Sequence, residues 1–461
     1  MNVIWIVADT FRWDHLGAYG NKTIHTPALD SLAARSTRFD RHYAAAFPTV
    51  PARADHHTGR WTMSFMGWEP LPPDAVTLAQ LLAQNGFVTV AAVDTPFYIR
   101  EEMNFDRGFQ AFFFNPSQDA SLVSNKIKHE SWDIRASWRH ESDRAAPQTI
   151  TSAMRWLERH YKEDFFLYID TWDPHEPWDA PSYYTELYLP DYDGEIIDPP
   201  YARWQEVPGL TLEKVKKAHA TYCGEVTMVD TWVGHLLRLV ENMGLMEKTA
   251  IIFTTDHGFL FGEHGGHFGK SVYVSDSGDA ASGWNVPGVG WSHDPLYEEI
   301  IHIPLLVYVP GVDAGVYNKL TSAVDVMPTV LDILGQDIPG FVEGESLLSK
   351  IHDASLPGRE FVISGKPFNN PGEPVKYVDN ILRRAKVHAV STLTTPDWSL
   401  LYAVEQGKSE LYNLASDPGQ ETNVILDHQD VARDLHQYIV KFMRDTNVPS
   451  RLLEPRLQLK P

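Results

Sequence analysis

Apolar positions along this chain cluster into short runs that alternate with stretches of helical period. The runs lie at residues 3–8, 88–93, 165–169, 250–254 and 303–309, and the helical stretches at 26–34, 78–84, 150–161 and 226–241. A strand that is apolar at every position is covered on both faces, and such strands separated by helices predict a largely parallel sheet wrapped by helices. The fold class expected is therefore α/β. Most of the runs end in polar residues able to do chemistry: Asp9-Thr10, Asp94-Thr95, Asp170-Thr171-Trp172-Asp173 and Thr255-Asp256-His257. In open α/β sheets the carboxyl ends of the strands are where ligands bind.

Two stretches interrupt the alternation. Residues 115–147 and 271–294 are polar, weakly periodic and carry Trp132, Trp138, Trp284 and Trp291. Ordered loops of that length are usually functional, so both are expected as lids or rims of a pocket. Near Ser355-Leu356-Pro357-Gly358-Arg359 the pattern shortens to strand-like pieces at 361–364 and 387–393, followed by a closing helix at about 427–444. The expected division is a catalytic α/β domain over 1–355 and a smaller C-terminal α+β subdomain over 356–461. No internal repeat or low-complexity tract is present.

Composition narrows the partners. The 461 residues are 43% hydrophobic, and 39 basic against 61 acidic residues give a formal charge of −22. That excess disfavours broad contact with nucleic acid or an anionic membrane, and a small anionic substrate would need a local positive site. The opening apolar run is too short for a signal segment, no window nears the roughly 20 apolar residues of a membrane span, and the single cysteine, Cys223, excludes an intramolecular disulfide framework. A soluble cytoplasmic protein is expected, and a homo-oligomer is compatible with this reading.

The candidate chemistry is scattered in sequence but sits at strand ends. Asp9, Asp256 and His257 offer two carboxylates and an imidazole for one divalent cation; such a donor set suits Ca, Mn, Mg or Zn without choosing among them. Thr49 and Arg53, within FPTVPAR at 47–53, lie one helical turn apart if a helix starts at Thr49. A helix N-terminus and a guanidinium on one face would receive an anion, and a cation shared with Asp9 and Asp256 would activate the Thr49 hydroxyl as a nucleophile. His175 in DPHEP (173–177) and Lys270, closing the Gly-rich stretch 262–270, are candidates to protonate a leaving group or hold an anionic oxygen. Asp55-His56-His57 is read as a hydrogen-bonded polar helix face, the alternative being a second cation site or a proton relay.

Taken in order, these segments resemble the sulfatase family of the alkaline phosphatase superfamily. The similarity rests on Asp9, DHLGAYGN (14–21), TPALDSLA (26–33), the Thr49-x-Pro-x-Arg53 motif leading to Thr58-Gly59-Arg60, DPHEP, TTDHGFLFGEHG (254–265) with Lys270, LYEEIIHIPLLVYVPG (296–311), DVMPTVLDILG (325–335) and ELYNLASDPGQETN (410–423). It implies an alkaline-phosphatase-like sheet and a metal-supported nucleophile that forms a covalent ester, later hydrolysed. It also implies roles: Asp9, Asp256 and His257 as metal ligands joined by Thr49, which is the nucleophile; Arg53 as its support; His175 and Lys270 on the substrate's anionic oxygens, with His175 as acid.

The chain departs from the family pattern in three places. Where sulfatases carry the Cys or Ser that becomes formylglycine, this chain has Thr49. The usual Asp-Asp pair after the first strand is Asp9-Thr10, and the segment that brings a Lys and a His to sulfate is replaced by Val93-Asp94-Thr95-Pro96-Phe97-Tyr98, which puts Thr95 and Tyr98 at substrate-binding positions. The resemblance extends to phosphonate monoester hydrolases and related phosphodiesterases, which show losses similar to the last two. The expected activity is metal-dependent hydrolysis of a phosphodiester or phosphonate monoester through a covalent Thr49 intermediate. The alternatives are a sulfatase working without formylglycine and an inactive sulfatase-like binding protein.

Overall fold

The computed structural model describes residues 1–95, 103–115, 138–274, 290–293, 296–368, 374–378, 381–384 and 390–461. Its centre is an eight-stranded sheet. From edge to edge the strands are Gly315–Tyr317, Thr37–Phe39, Leu305–Tyr308, Thr249–Thr254, Asn2–Ala8, Phe165–Thr171, Val88–Val93 and Ala111–Phe114. Seven share one direction; Leu305–Tyr308 runs against both of its neighbours. The apolar runs are the central strands, and the strands not read in the sequence are the short ones, Thr37–Phe39, Ala111–Phe114 and Gly315–Tyr317.

The strand Asn2–Ala8 shows why its sequence has no polar alternation. Successive side chains point to opposite faces. Ile4, Ile6 and Ala8 enter one core with Ile150, Trp178, Tyr222 and Val226, while Val3, Trp5 and Val7 enter the other with Val50, Ala54, Leu78 and Met327. Each of the large side chains contributes on the order of 1.5–3 kcal/mol on leaving water, so neither face tolerates a charge. Helices cover both sides. Ala145–His160 buries Ile150, Ala153 and Leu157 on one stripe, and the 31-residue Leu212–Asn242 buries Val215, Ala218, Tyr222, Val226, Val229, Val233 and Val240. The expected helix at 226–241 is only the second half of this element. Its first half has a weaker stripe, with Lys216 and Lys217 beside small alanines, yet it begins at a Thr211 cap that accepts from Lys214 N at 3.3 Å.

A smaller antiparallel sheet, Val362–Gly365, Ser391–Thr394, Trp398–Tyr402 and Glu410–Asn413, packs against the helix Gln429–Asp445. This subdomain grips the chain just before Thr49. Gly365 N donates to Ala45 O at 2.8 Å, Phe47 N donates to Gly365 O at 2.9 Å, and the Ser364 hydroxyl donates to Ala44 O. The expected strand at 387–393 is Ser391–Thr394, with 387–389 outside the described residues. Among the described residues, no helix is long and apolar enough to cross a membrane.

Candidate active site

The helix Thr49–Thr58 is buried at all ten positions although its sequence, TVPARADHHT, is largely polar. Val50 and Ala54 reach the apolar core. Pro51 sits in the first turn, where a missing N–H costs nothing, and Gly59 ends the helix at φ 63°, a left-handed cap that favours glycine. The helix is dragged inside by what its polar side chains hold.

Arg53 is fully buried and binds three carboxylates. Its Nε and Nη2 clasp Asp170 at 2.8 Å each, Nη1 donates to Asp256 Oδ2 at 2.6 Å, and Nη2 lies 3.0 Å from Asp9 Oδ2. Nη1 also donates to the Thr49 carbonyl at 3.3 Å, which ties the first residue of the helix to the strand ends. The sequence places Asp170 among the polar residues that follow an apolar run, without assigning it a role. It is fixed in turn by the Tyr168 hydroxyl at 2.7 Å and the Thr95 hydroxyl at 2.6 Å. Thr95 thus serves the arginine clasp in this structure. Tyr98 lies outside the described residues.

Asp9, Asp256 and His257 converge so that one ligand atom of each lies within 4.8 Å of the others. His257 Nδ1 donates to the Gly258 carbonyl at 3.1 Å, which leaves Nε2 as a lone pair facing the carboxylates, 3.3 Å from Asp256 Oδ2. Apart from the Arg53 ion pair to Oδ2, neither oxygen of buried Asp9 has a hydrogen-bond partner, and His257 Nε2 has none. Burial and the neighbouring Asp256 push the Asp9 carboxyl well above its ordinary range. Burial would also raise Asp256, but His257 and Arg53 overcome it and hold that carboxyl well below. Burial lowers the His257 imidazole to about 3, so it is neutral at neutral pH. Were all three carboxylates ionised, the one guanidinium would leave two negative charges uncompensated in a dry site, an arrangement that strongly disfavours itself. A divalent cation balances it, and the orphaned oxygens and nitrogen are its natural donors. Thr10, next to Asp9, adds a buried hydroxyl with no hydrogen-bond partner and a φ of 56°, an outlier for a β-branched residue.

His175 and Lys270 form a pair. His175 stacks on Trp172 with ring centroids 3.6 Å apart, and its Nδ1 donates to the Glu176 carbonyl at 2.7 Å. Burial and the Lys270 charge push its pKa well down. The ring is therefore neutral with its lone pair on Nε2, which accepts from Lys270 Nζ at 2.5 Å. His175 thereby fixes the direction of Lys270 Nζ. Gly269 allows this approach: its φ is 138°, and a Cβ there would lie 2.8 Å from Tyr201 Cα.

The neighbouring polar run divides. Asp55 is a structural acceptor for Ala46 N at 2.5 Å, Thr62 N at 2.8 Å and Thr62 Oγ1 at 2.6 Å. His56 and His57 instead sit among rings, His56 against Trp5 and His57 against Tyr168 and Phe105, with His56 Nδ1 and Nε2 and His57 Nε2 unpartnered. Asp173, His175 and His267 do not gather into a further three-donor group among the described residues; Asp173 accepts from Ala146 N at 3.2 Å. Of the tryptophans in the two inserts, Trp138 carries Arg144 over its ring, while Trp132 and Trp284 lie outside the described residues.

A mostly parallel sheet with buried carboxylates, an imidazole and a guanidinium gathered at its carboxyl edge marks a hydrolase of the alkaline-phosphatase-like class. The sulfatase family model matches residues 1–336, and the chain belongs to that family. Among curated relatives, the arylsulfatase of Clostridium perfringens is 24% identical over 480 residues, covering 92% of this chain and 90% of its own. Among solved structures, the phosphonate monoester hydrolase of Agrobacterium radiobacter superposes with a TM-score of 0.75 at 20% identity, covering 96% of each chain. That of Silicibacter pomeroyi gives 0.70 at 21% identity, covering 96% of this chain and 94% of the other. These structural likenesses establish the fold.

Proposed function

We propose that this sulfatase-family hydrolase cleaves a phosphodiester or phosphonate monoester with unmodified Thr49 as nucleophile. The observation that carries the proposal is the identity and place of Thr49: a threonine opens the buried helix whose Arg53 is clasped between Asp9, Asp170 and Asp256. A formylglycine hydrate releases its ester by elimination. A threonine ester has no such route and must be opened by water at the central atom, which phosphorus permits far more readily than sulfur.

A divalent cation held by Asp9, Asp256 and His257 would supply positive charge beside the Thr49 hydroxyl, lowering its pKa, and beside the substrate's non-bridging oxygens. The chain does the rest. Arg53 holds the first helical turn, and with it Thr49, against the strand ends. The Thr49 hydroxyl loses its proton to water as its oxygen attacks phosphorus, the bond to the leaving oxygen breaks, and Lys270, oriented by His175, gives that oxygen a proton that it later regains from solvent. Water then cleaves the Thr49 ester and restores the hydroxyl. With the cation, Arg53 and the three carboxylates in balance, Lys270 is left to match one negative charge. Phosphodiesters, phosphonate monoesters and sulfate monoesters all carry one; a phosphate monoester carries close to two and is expected to be a poor substrate.

The second reading is a sulfatase that works without formylglycine, which curated relatives such as the Clostridium perfringens arylsulfatase favour. Matched aryl phosphodiester, phosphonate monoester and sulfate monoester substrates, assayed with metal-reconstituted protein and Thr49→Ala, separate the two. Faster cleavage of the phosphorus esters that disappears in the variant is the expected result. Preferential sulfate cleavage would reject it in favour of the second reading, and no turnover of any ester would point to a binding protein.

A further inference from the structure

A second group of donors lies outside the catalytic cluster. His15 ends the short turn Trp13–His15, a few residues after Asp9, and His219 and Cys223 lie one turn apart on the long helix Leu212–Asn242. Each offers a ligand atom within 4.8 Å of the other two. His15 Nε2 is 2.8 Å from His219 Nε2, and Cys223 Sγ is 3.8 Å from the same nitrogen. His15 Nδ1 bonds Asp14 Oδ1 at 2.8 Å. That carboxylate fixes the tautomer, turning the Nε2 lone pair toward the other two donors, the outer-sphere arrangement usual for metal-bound histidine.

We propose that His15, His219 and Cys223 form a second metal site, selective for a borderline or soft divalent cation, with zinc the best match. Two imidazoles and a thiolate are donors zinc prefers and that calcium and magnesium do not. Around a tetrahedral zinc, with bonds of roughly 2.0–2.3 Å, two nitrogens stand about 3.3 Å apart and a nitrogen and sulfur about 3.6 Å. The sulfur–nitrogen separation is already of that size, and the two imidazoles need to part by about half an ångström. Charge favours the assignment as well. Arg12 lies between Asp14 and Glu263, 2.6 Å from each, which leaves one negative charge beside the cluster; a zinc–thiolate unit carries one positive charge. His219 is the partly exposed member and gives the cation its way in.

Binding displaces a proton from Cys223, whose thiol burial pushes up to about 12, so capture tightens as pH rises. An occupied site would tie the turn that follows Asp9 to the long helix, alongside the bond Tyr222 already makes from its hydroxyl to the Thr10 carbonyl at 2.9 Å. The proposal does not depend on which ester is the substrate.

Cobalt(II) tests it directly, because Cys223 is the chain's only cysteine and any thiolate-to-cobalt charge-transfer absorption must arise there. Full-length protein saturated with Co²⁺ should show that near-ultraviolet band. Cys223→Ser should lose it and His219→Ala should weaken or lose it, with circular dichroism checking that both are folded. Asp256→Asn, which disables the catalytic cluster, should keep it. In parallel, Zn²⁺ titration against a chromogenic chelator should count two equivalents in wild type and one in Cys223→Ser. No charge-transfer band in folded, cobalt-saturated wild type would overturn the proposal, as would a single zinc equivalent that vanishes in Asp256→Asn.

Discussion

Arg53 and its carboxylates show how much depends on single residues at this site. Removing one partner of a buried ion pair leaves an uncompensated charge and typically costs about 3–5 kcal/mol. Asp170→Asn should therefore lower unfolding stability by that order in urea titrations and reduce turnover, because Arg53 loses the clasp that aims Thr49; stability and turnover near wild type would show that Asp256 and Asp9 suffice. His57 makes the opposite case, a neutral ring kept among aromatics. Burial holds its pKa at about 4 and that of His56 at about 3, against an ordinary 6.5. The unfolded rings take up protons first, so their contribution is intact above about 6.5 and is lost as pH falls, by roughly 1.4 kcal/mol per unit for each ring. Comparing unfolding free energies at pH 7 and pH 5 should show that loss, and His57→Phe should make it shallower.

Elements position the site from outside it. The strand Val362–Gly365 holds the backbone at Ala44, Ala45 and Phe47, and the same subdomain covers Ala44, Ala45, Ala46, Met63 and Ile303 with Ile363, Leu393 and Met443. A chain ending at residue 355 would expose that apolar surface and free the segment entering the Thr49 helix. Such a truncation should give insoluble or inactive protein, judged by soluble yield, circular dichroism and ester hydrolysis; a folded, active fragment would refute the positioning role. The helix Thr49–Thr58 is also where periodicity was uninformative. Its polar residues at 53, 55, 56 and 57 are all inside, so no apolar stripe marks which face is buried. Its helical start at Thr49 could be anticipated only from the spacing of Thr49 and Arg53.

At the scale of the whole molecule, buried charge would couple the fold to a cation held by Asp9, Asp256 and His257. With no cation, Asp9 keeps its proton to a pH well above the 3.8 of an ordinary Asp side chain. The Asp9 contribution to stability is then full below 3.8 and falls as pH rises through the elevated folded value. Chelator-treated protein should accordingly lose thermal stability on going from mildly acidic to alkaline buffer, and adding Ca²⁺, Mn²⁺, Mg²⁺ or Zn²⁺ should restore it, most at the higher pH. A melting temperature unmoved by every cation would exclude the Asp9, Asp256 and His257 cluster as a metal site. The sequence by itself determined the sheet, since runs such as 3–8 and 165–169 are apolar at every position and can exist only with both faces covered. The same strands placed Asp9, Asp256 and His257 at one edge, since parallel strands end on the same side. Asp170 as the clasp of Arg53, the pairing of Lys270 with His175, and the meeting of His15 with His219 and Cys223 were decided only by tertiary structure. Each depends on hydrogen bonds or close approaches between residues distant in sequence, and no local pattern encodes those distances.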